Sequence, residues 1–261
     1  MLGRMLVDTH CHLHLLESPP EEVVAEAVGE GVGHLVDVGV DLASSRQAAA
    51  NAARLPQVSA TAGVHPHDAD GFSGATLEEL RRLLADERVV GVGETGLDYY
   101  YDNSPRDAQR AAFAAHVRLA RELDKVLVVH CRDAFADVVA TLEGEGAPPR
   151  VVFHCFAGDE QAAVRVVEAG WYVSFAGTVT FRNAPGLRAA CAVVPLERMV
   201  LETDSPFLSP HPYRGRPNRP GRVGVTAQTV AEVHGVGVEQ VAARTTATAV
   251  EAFRLALDGR A

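Results

Sequence analysis

Two histidines near the start of the chain have the spacing of a metal site. His10 and His12 end an apolar, β-branched run over residues 6–12 that predicts a strand. Because side chains alternate between the faces of a strand, both imidazoles point the same way and can bind one cation. They make only half a site, since a bound divalent ion usually needs about four donors and a catalytic ion keeps one position open.

Four further candidate donors each follow another predicted strand: Glu94, His130, His154 and Asp204. Imidazole together with carboxylate suits zinc, manganese or a related divalent ion, and a carboxylate can bridge two ions. We therefore predict a two-metal site in which Glu94 is shared. His10, His12 and Asp204 are the other predicted ligands of one ion, and His130 and His154 are those of the second ion. Asp204 is also the candidate general base, and Glu94 joins it as a catalytic residue.

The elements that position these donors alternate regularly. Eight short β-rich runs are predicted as strands, at residues 5–9, 34–40, 58–64, 89–93, 126–129, 151–153, 171–175 and 199–203. Most are continuously apolar, as in strands of a parallel sheet that is covered on both faces. The segments between them have room for helices, predicted at residues 18–28 with Ser18 as the cap, 43–55, 77–85, 105–123, 134–142, 160–169, 185–191 and, broken at Gly235 and Gly237, 226–257.

This alternation predicts a (β/α)8 TIM barrel formed by residues 1–261 as a single domain, with a doubly wound open sheet as the alternative. The length of 261 residues agrees with one barrel, which typically has about 250 residues. Barrel enzymes build their sites at the C-terminal ends of the strands, where the six candidate donors stand.

Composition narrows the classes of function. Hydrophobic residues make up 47% of the chain and charged residues 22%, as in an ordinary globular protein. The formal charge of -10 argues against a broad basic surface that coats duplex nucleic acid. Since no long apolar segment or signal peptide is evident, we expect a cytoplasmic protein without a membrane anchor or an obligate protein partner. The four cysteines form no close pairs, and we interpret those beside the histidines as packing residues.

Six segments of the chain match, in order, the motifs of one enzyme family. They are Asp8-Thr9-His10-Cys11-His12-Leu13, Gly63-Val64-His65-Pro66-His67, Gly93-Glu94-Thr95-Gly96-Leu97-Asp98-Tyr99-Tyr100, His130-Cys131-Arg132-Asp133-Ala134, Phe153-His154-Cys155-Phe156-Ala157-Gly158 and Leu201-Glu202-Thr203-Asp204-Ser205-Pro206. Together they resemble the TatD family of metal-dependent hydrolases. The resemblance implies an amidohydrolase-type barrel, a divalent-metal site on the matched residues and deoxyribonuclease activity, often exonucleolytic.

Residues around the predicted metal site are candidates for binding the substrate. By the resemblance, His65 faces the substrate, and Asn218 lies in a matched loop that we include among the substrate contacts. Arg132 can pair with a phosphate or with a neighbouring acid. The chain departs from the family at His14, where an Asp is common, and at Arg219, where an acid is usual.

Two rim segments have open interpretations. The basic loop with Arg214, Arg216, Arg219 and Arg222 either gathers phosphates or is simply solvated, and the run of tyrosines at residues 99–101 either stacks on bases or packs.

The favoured function is hydrolysis of phosphodiester bonds at nucleic acid ends, with DNA preferred and RNA possible, by two divalent ions of Zn, Mg or Mn. The alternative keeps the metals but hydrolyses a small ester, lactone or amide, because one barrel supports many reactions. A non-catalytic metal scaffold is least favoured, since structural sites tend to be closed and rich in thiols.

Overall fold

Eight strands make one parallel sheet in the computed structural model, which describes residues 5–257. They are β1 (Leu6–Cys11), β2 (Val32–Val38), β3 (Val58–Ala62), β4 (Val89–Asp98), β5 (Val126–Arg132), β6 (Val151–Phe153), β7 (Tyr172–Phe175) and β8 (Met199–Leu201). Their order in the sheet is their order in the sequence. This is the predicted (β/α)8 barrel, and it excludes the doubly wound sheet, whose strand order reverses at a switch point.

Helices alternate with the strands. They are α1 (Pro20–Gly29), α2 (Leu42–Arg54), α3 (Gly74–Leu83), α4 (Arg106–Glu122), α5 (Phe135–Glu145), α6 (Glu160–Glu168), α7 (Pro185–Val193), α8 (Val223–His234) and α9 (Val238–Phe253). Across residues 5–257, no helix combines the length and the apolar character needed to cross a membrane.

The chain divides into two compact units, of which the first comprises Met1–Asp37 with Cys155–Ala261. Strand β1 pairs with β2, and β7 pairs with β8. The end of the first strand is joined to the segment that follows the last strand, where Cys11 and Ser205 form a parallel bridge and the Asp204 N–H donates to the His10 carbonyl over 2.9 Å. The C-terminal ends of β1 and β8 therefore lie side by side.

The second unit comprises Val38–His154 and contains β3 to β6 with α2 to α5. Its neighbouring strands pair in parallel, β3 with β4, β4 with β5, and β5 with β6. Phe113, Leu127 and Leu142 are fully buried between the helices and the strands. The organisation of residues 1–261 as a single domain stays a prediction.

The boundaries of the elements differ from the sequence prediction at two informative places. Strand β4 continues to Asp98 instead of ending at Gly93, because its glycines are part of the strand rather than a turn. Helix α1 begins at Pro20 with Pro19 at the N-cap, so the prediction that Ser18 caps it was wrong. A residue before proline is disfavoured in helical geometry, which moves the start of the helix to the second proline.

Candidate metal centre

The first unit brings together His10, His12 and Asp204. The two histidines are 0% and 3% exposed, and the Asp204 side chain is 13% exposed. Asp204 Oδ1 lies 3.4 Å from His12 Nε2 and 3.9 Å from His10 Nε2. One ligand atom from each residue falls within 4.8 Å of the others, which is close enough for one cation to contact all three. We call these residues the first donor set.

Backbone hydrogen bonds hold Asp204 against the end of β1. Its own backbone is left-handed, with φ of 55°, a conformation that aspartate tolerates better than most residues. The His12 N–H donates to the carbonyl of Ser205, the residue after Asp204, over 2.9 Å. The carboxylate is therefore placed by two strands that are far apart in the sequence.

Asn218 supports the same turn. It is 1% exposed, its side-chain amide donates to the Thr203 carbonyl over 2.9 Å, and its backbone N–H donates to the Pro206 carbonyl over 2.8 Å. It thus holds the chain on both sides of Asp204. The substrate contact predicted for Asn218 stays a prediction, whereas its structural role is visible here.

Asp8 is a second carboxylate below this set that the sequence analysis missed. It is fully buried, and it accepts hydrogen bonds from the Thr203 N–H (2.8 Å), the Thr203 hydroxyl (2.6 Å) and the His10 N–H (3.3 Å). Burial raises the pKa of Asp8 to about 8 despite these bonds. The spacing of Asp8, His10 and His12 by two residues was the available signal, since it places all three on one face of β1.

The second unit gathers imidazoles around one oxygen of Glu94. His130 Nδ1 and His154 Nε2 each lie 2.8 Å from Glu94 Oε1, and His65 Nε2 lies 3.4 Å from it. Glu94 itself is 3% exposed. We call these four residues the second donor set. It contains the predicted ligands of one ion and also His65, which the resemblance had assigned to the substrate.

Two glycines allow this arrangement by letting β4 approach β5. A Cβ on Gly96 would stand 2.0 Å from the His130 carbonyl oxygen, and one on Gly93 would stand 2.6 Å from the Val128 carbonyl oxygen. Both have φ near +140°, which L side chains rarely adopt. Any other residue would push β4 away from β5 and separate Glu94 from His130.

Asp98 orients two histidines from the end of β4, where it is 1% exposed. Its Oδ2 lies 3.0 Å from both His130 Nε2 and His67 Nε2, and its Oδ1 accepts the N–H groups of Tyr100 (3.0 Å) and Tyr101 (2.8 Å). Burial alone would raise the pKa of Asp98, but these hydrogen bonds outweigh it and hold the pKa well below its usual range.

The pKa values of two histidines in this unit are shifted in opposite directions. Burial would lower the pKa of His130, but its hydrogen bonds to Asp98 and Glu94 outweigh the burial and leave the pKa raised. At His65 the burial prevails over the attraction of Glu94, so the pKa is lowered.

The sequence analysis missed Asp98 because it ended β4 too early. Glu94, Gly96 and Asp98 follow the same two-residue period that marks β1.

Arg132 lies outside both donor sets. It is exposed at the end of β5, with its guanidinium carbon 4.8 Å from the centre of the Tyr100 ring. The Cys11 thiol donates to the Val36 carbonyl over 3.4 Å, and no cysteine joins a donor set within the described residues.

The basic loop is largely engaged with the protein itself. Arg219 pairs with Glu26, Arg222 donates to the Pro217 carbonyl over 2.6 Å, and Arg214 stacks on Phe181 at 3.8 Å.

Both donor sets fit a divalent metal ion chemically. Each combines imidazole nitrogen with carboxylate oxygen and lacks thiolate, which is a mixture suited to zinc, manganese or a related ion. The partly exposed Asp204 leaves the first set open on one side, as a catalytic site requires and a structural site does not.

Comparison with known proteins agrees with this chemistry. The protein family described as TatD related DNase matches residues 7–254, nearly the whole chain. The chain belongs to the TatD family. A TatD relative from Escherichia coli (strain K12), named uncharacterized metal-dependent hydrolase YcfH, is 40% identical over 257 residues and covers 96% of each chain. The chain is thus a metal-dependent hydrolase.

Two further TatD proteins extend the comparison. The crystal structure of YJJV, a TatD homolog from Escherichia coli K12, superposes with a TM-score of 0.92 at 27% identity, covering 98% of this chain and 100% of the other. A relative from Citrobacter rodentium named 3'-5' ssDNA/RNA exonuclease TatD is 36% identical over 243 residues, covering 91% of this chain and 92% of its own. The TatD fold therefore extends over almost the entire chain.

Proposed function

We propose that this TatD-family hydrolase cleaves phosphodiester bonds at the ends of nucleic acid strands, with DNA as the preferred substrate and RNA as a second one. The observation that carries the proposal is the pair of imidazole–carboxylate donor sets at the C-terminal ends of the strands. The relative named as a single-strand exonuclease supports the choice of nucleic acid over other esters.

Each donor set would hold one divalent ion, of zinc, magnesium or manganese. Such ions, when bound, neutralise the charge on the phosphoryl oxygens and make water more acidic. That Glu94 bridges two ions stays a prediction.

Asp204 has the position that a general base needs. Its carboxylate is the most exposed member of the first donor set, and backbone hydrogen bonds on both sides fix its direction. Asp204 would accept the proton of the attacking water, and His10 and His12 would hold the cation. The conformation of the turn thus determines the position of the group that would take the proton.

The charge of the whole chain favours strand ends over long duplex. With a formal charge of -10, the surface repels a polyanion that lies along it, whereas a single terminal phosphate meets mainly the metal ions. Arg132 is exposed at the end of β5, and its guanidinium can pair with a phosphate. We therefore assign it to a phosphate of the strand.

End-labelled single-stranded DNA, RNA and duplex, incubated with Mg²⁺, Mn²⁺ or Zn²⁺ and with chelator, test the proposal. We expect metal-dependent release of short products from single strands. Asp204→Asn should lower the rate by about a hundredfold or more, since general base catalysis contributes at least that much. Asp107→Asn, which changes a carboxylate whose side chain is 93% exposed, is the matched control.

Two results would contradict the proposal. One is the absence of cleavage of every polynucleotide together with metal-dependent hydrolysis of a small carboxylic ester, which is the alternative function. The other is equal cleavage by Asp204→Asn and the wild type, which would remove Asp204 from catalysis.

A further inference from the structure

Two tyrosine side chains project into solvent directly after β4. Tyr100 and Tyr101 are each 59% exposed, an unusual setting for large rings in the described part of this chain, where most bulky apolar side chains are buried. Their centres are 4.8 Å apart and their planes are nearly perpendicular, at 88°. Exposed aromatic surface of this kind gains nothing from folding, so it suggests a surface that binds something else.

The turn that carries these rings is held firmly. Both backbone N–H groups donate to one oxygen of Asp98, at 3.0 and 2.8 Å. The preceding Tyr99 is anchored, because its hydroxyl donates to Asp137 over 2.6 Å and accepts from Arg110 over 3.1 Å. One tyrosine of the three thus anchors the turn, and the other two project from a backbone that hydrogen bonds hold in place.

The exposed rings are continuous with the second donor set. Tyr101 lies 5.5 Å from the His67 ring, and His67 lies 4.3 Å from the His65 ring, whose Nε2 is 3.4 Å from Glu94. A substrate bound at the donor set therefore has aromatic surface within reach on the solvent side.

A positive charge accompanies this aromatic surface. The Arg132 guanidinium carbon is 4.8 Å from the Tyr100 ring centre, so a cation stands beside the exposed rings. Aromatic rings with arginine are the combination that proteins use to bind unpaired nucleotides, with bases stacked and phosphates neutralised. A paired duplex cannot use it, because its base faces are already stacked.

We propose that Tyr100, Tyr101 and Arg132 form a base-stacking subsite that holds an unpaired nucleotide next to the one being cleaved. This inference rests on the proposed nuclease function and adds the place and the chemistry of strand recognition. Since every nucleobase has a π face, the subsite tolerates all sequences. It also explains how an acidic protein binds a strand with few phosphate contacts.

The test uses the metal-loaded protein and a single strand with phosphorothioate linkages that resist cleavage, labelled internally with 2-aminopurine. Stacking quenches the fluorescence of this base. In the variant Tyr100→Ala, Tyr101→Ala we expect the quenching to disappear and Kd to rise about tenfold. The variant Tyr100→Phe, Tyr101→Phe keeps the rings and should behave as the wild type. Val164→Ala, which trims an exposed apolar residue on α6, is the control for a general surface effect.

A second arm compares cleavage of an ordinary strand with that of a strand carrying abasic positions. The alanine variant should lose kcat/KM on the ordinary strand, mainly through KM, and should match the wild type on the abasic strand. Equal losses on both strands, or unchanged quenching, would overturn the subsite while leaving the nuclease function intact. A wild type that cleaves neither strand would instead overturn the proposed function.

Discussion

Asp98 shows how one buried carboxylate can determine what its neighbours do. His130 lies between two carboxylates, with Nε2 3.0 Å from Asp98 and Nδ1 2.8 Å from Glu94. A carboxylate only accepts hydrogen bonds, so a cation held by Glu94 and Nδ1 would leave Nε2 as the nitrogen that donates to Asp98. In metal sites this outer hydrogen bond fixes the tautomer and strengthens the ligand. The same carboxylate also holds the tyrosine turn, which links the orientation of a candidate ligand to the proposed subsite.

Replacing Asp98 with asparagine should therefore weaken metal binding by about 10- to 100-fold without unfolding the protein. Calorimetric titration of metal-free protein with Mn²⁺ or Zn²⁺ measures this affinity, and circular dichroism checks the fold. Asp102→Asn alters a carboxylate that is 40% exposed and pairs with Arg106, so it should leave the affinity unchanged. Wild-type affinity in a folded Asp98→Asn protein would rule out the positioning role.

For single residues, the sequence indicated which side chains could be metal donors but not which residues hydrogen-bond to them. The structure groups His10 and His12 with Asp204, and Glu94 with His130 and His154, although their role as ligands stays a prediction. Asp98 was missed because the predicted strand ended at Gly93, and Asp8 was missed because nothing in the sequence shows its partner Thr203. Only the structure shows the hydrogen bonds that offset the burial of these two acids.

Helix α4 fixes the ends of two strands that carry the second donor set. His116 donates from Nδ1 to the Ala112 carbonyl (2.7 Å), and its Nε2 accepts the Val64 N–H (3.1 Å) just before His65. Gln109 brackets the backbone of Asp98, accepting its N–H over 2.8 Å and donating to its carbonyl over 3.2 Å. Both residues are fully buried, so the helix acts as a clamp made of neutral polar groups.

This arrangement makes the stability depend on pH. Burial lowers the pKa of His116 from 6.5 to about 4. Above pH 6.5 the ring is neutral in both states and contributes no pH dependence. As the pH falls from 6.5 towards 4, the unfolded chain takes up a proton and the folded chain does not, so stability is lost, by up to about 3 kcal/mol from this residue.

The variant His116→Gln removes this titration, and its free energy of unfolding should fall less steeply between pH 6.5 and 4 than that of the wild type. Urea unfolding at a series of pH values gives both curves. The exposed His211→Gln should keep the wild-type slope. Parallel curves for His116→Gln and wild type would show that His116 is protonated in the folded state.

The elements themselves were largely predictable, and the reasons for the exceptions are physical. Continuous apolar runs identified all eight strands, because burial on both faces leaves a strong signature. The length of β4 was underestimated, because Gly93 and Gly96 look like a turn until the nearby carbonyls of β5 are known. Such close approaches depend on the neighbouring strand, which no local pattern reports.

Across the whole molecule acidic groups are in excess, and some of them are buried. The chain carries a formal charge of -10, and besides Asp8, whose pKa burial raises, four acidic side chains of the described residues are at most 3% exposed: Asp37, Glu94, Asp98 and Glu202. Bound cations would offset part of this negative charge, so metal binding should stabilise the fold as well as serve catalysis.

Removal of the metal with a chelator should lower the Tm by about 5 °C or more, and excess divalent metal should restore it, since ligand at a hundred times its Kd adds about 2.7 kcal/mol. Differential scanning calorimetry measures the change. The double variant His10→Ala, His12→Ala should show a smaller gain, because only the second donor set remains. A Tm that changes with neither chelator nor metal would contradict the assignment of the two donor sets as metal sites.

The bridge between β1 and the segment after β8 has a consequence for how activity appears during synthesis. The second donor set is complete once residue 154 has been made, whereas the first needs Asp204, which is 194 positions beyond His10 in the chain. Synthesis of the chain therefore brings the two donor sets into existence at different times, and the first set has to wait for a contact between the first strand and the segment after the last one.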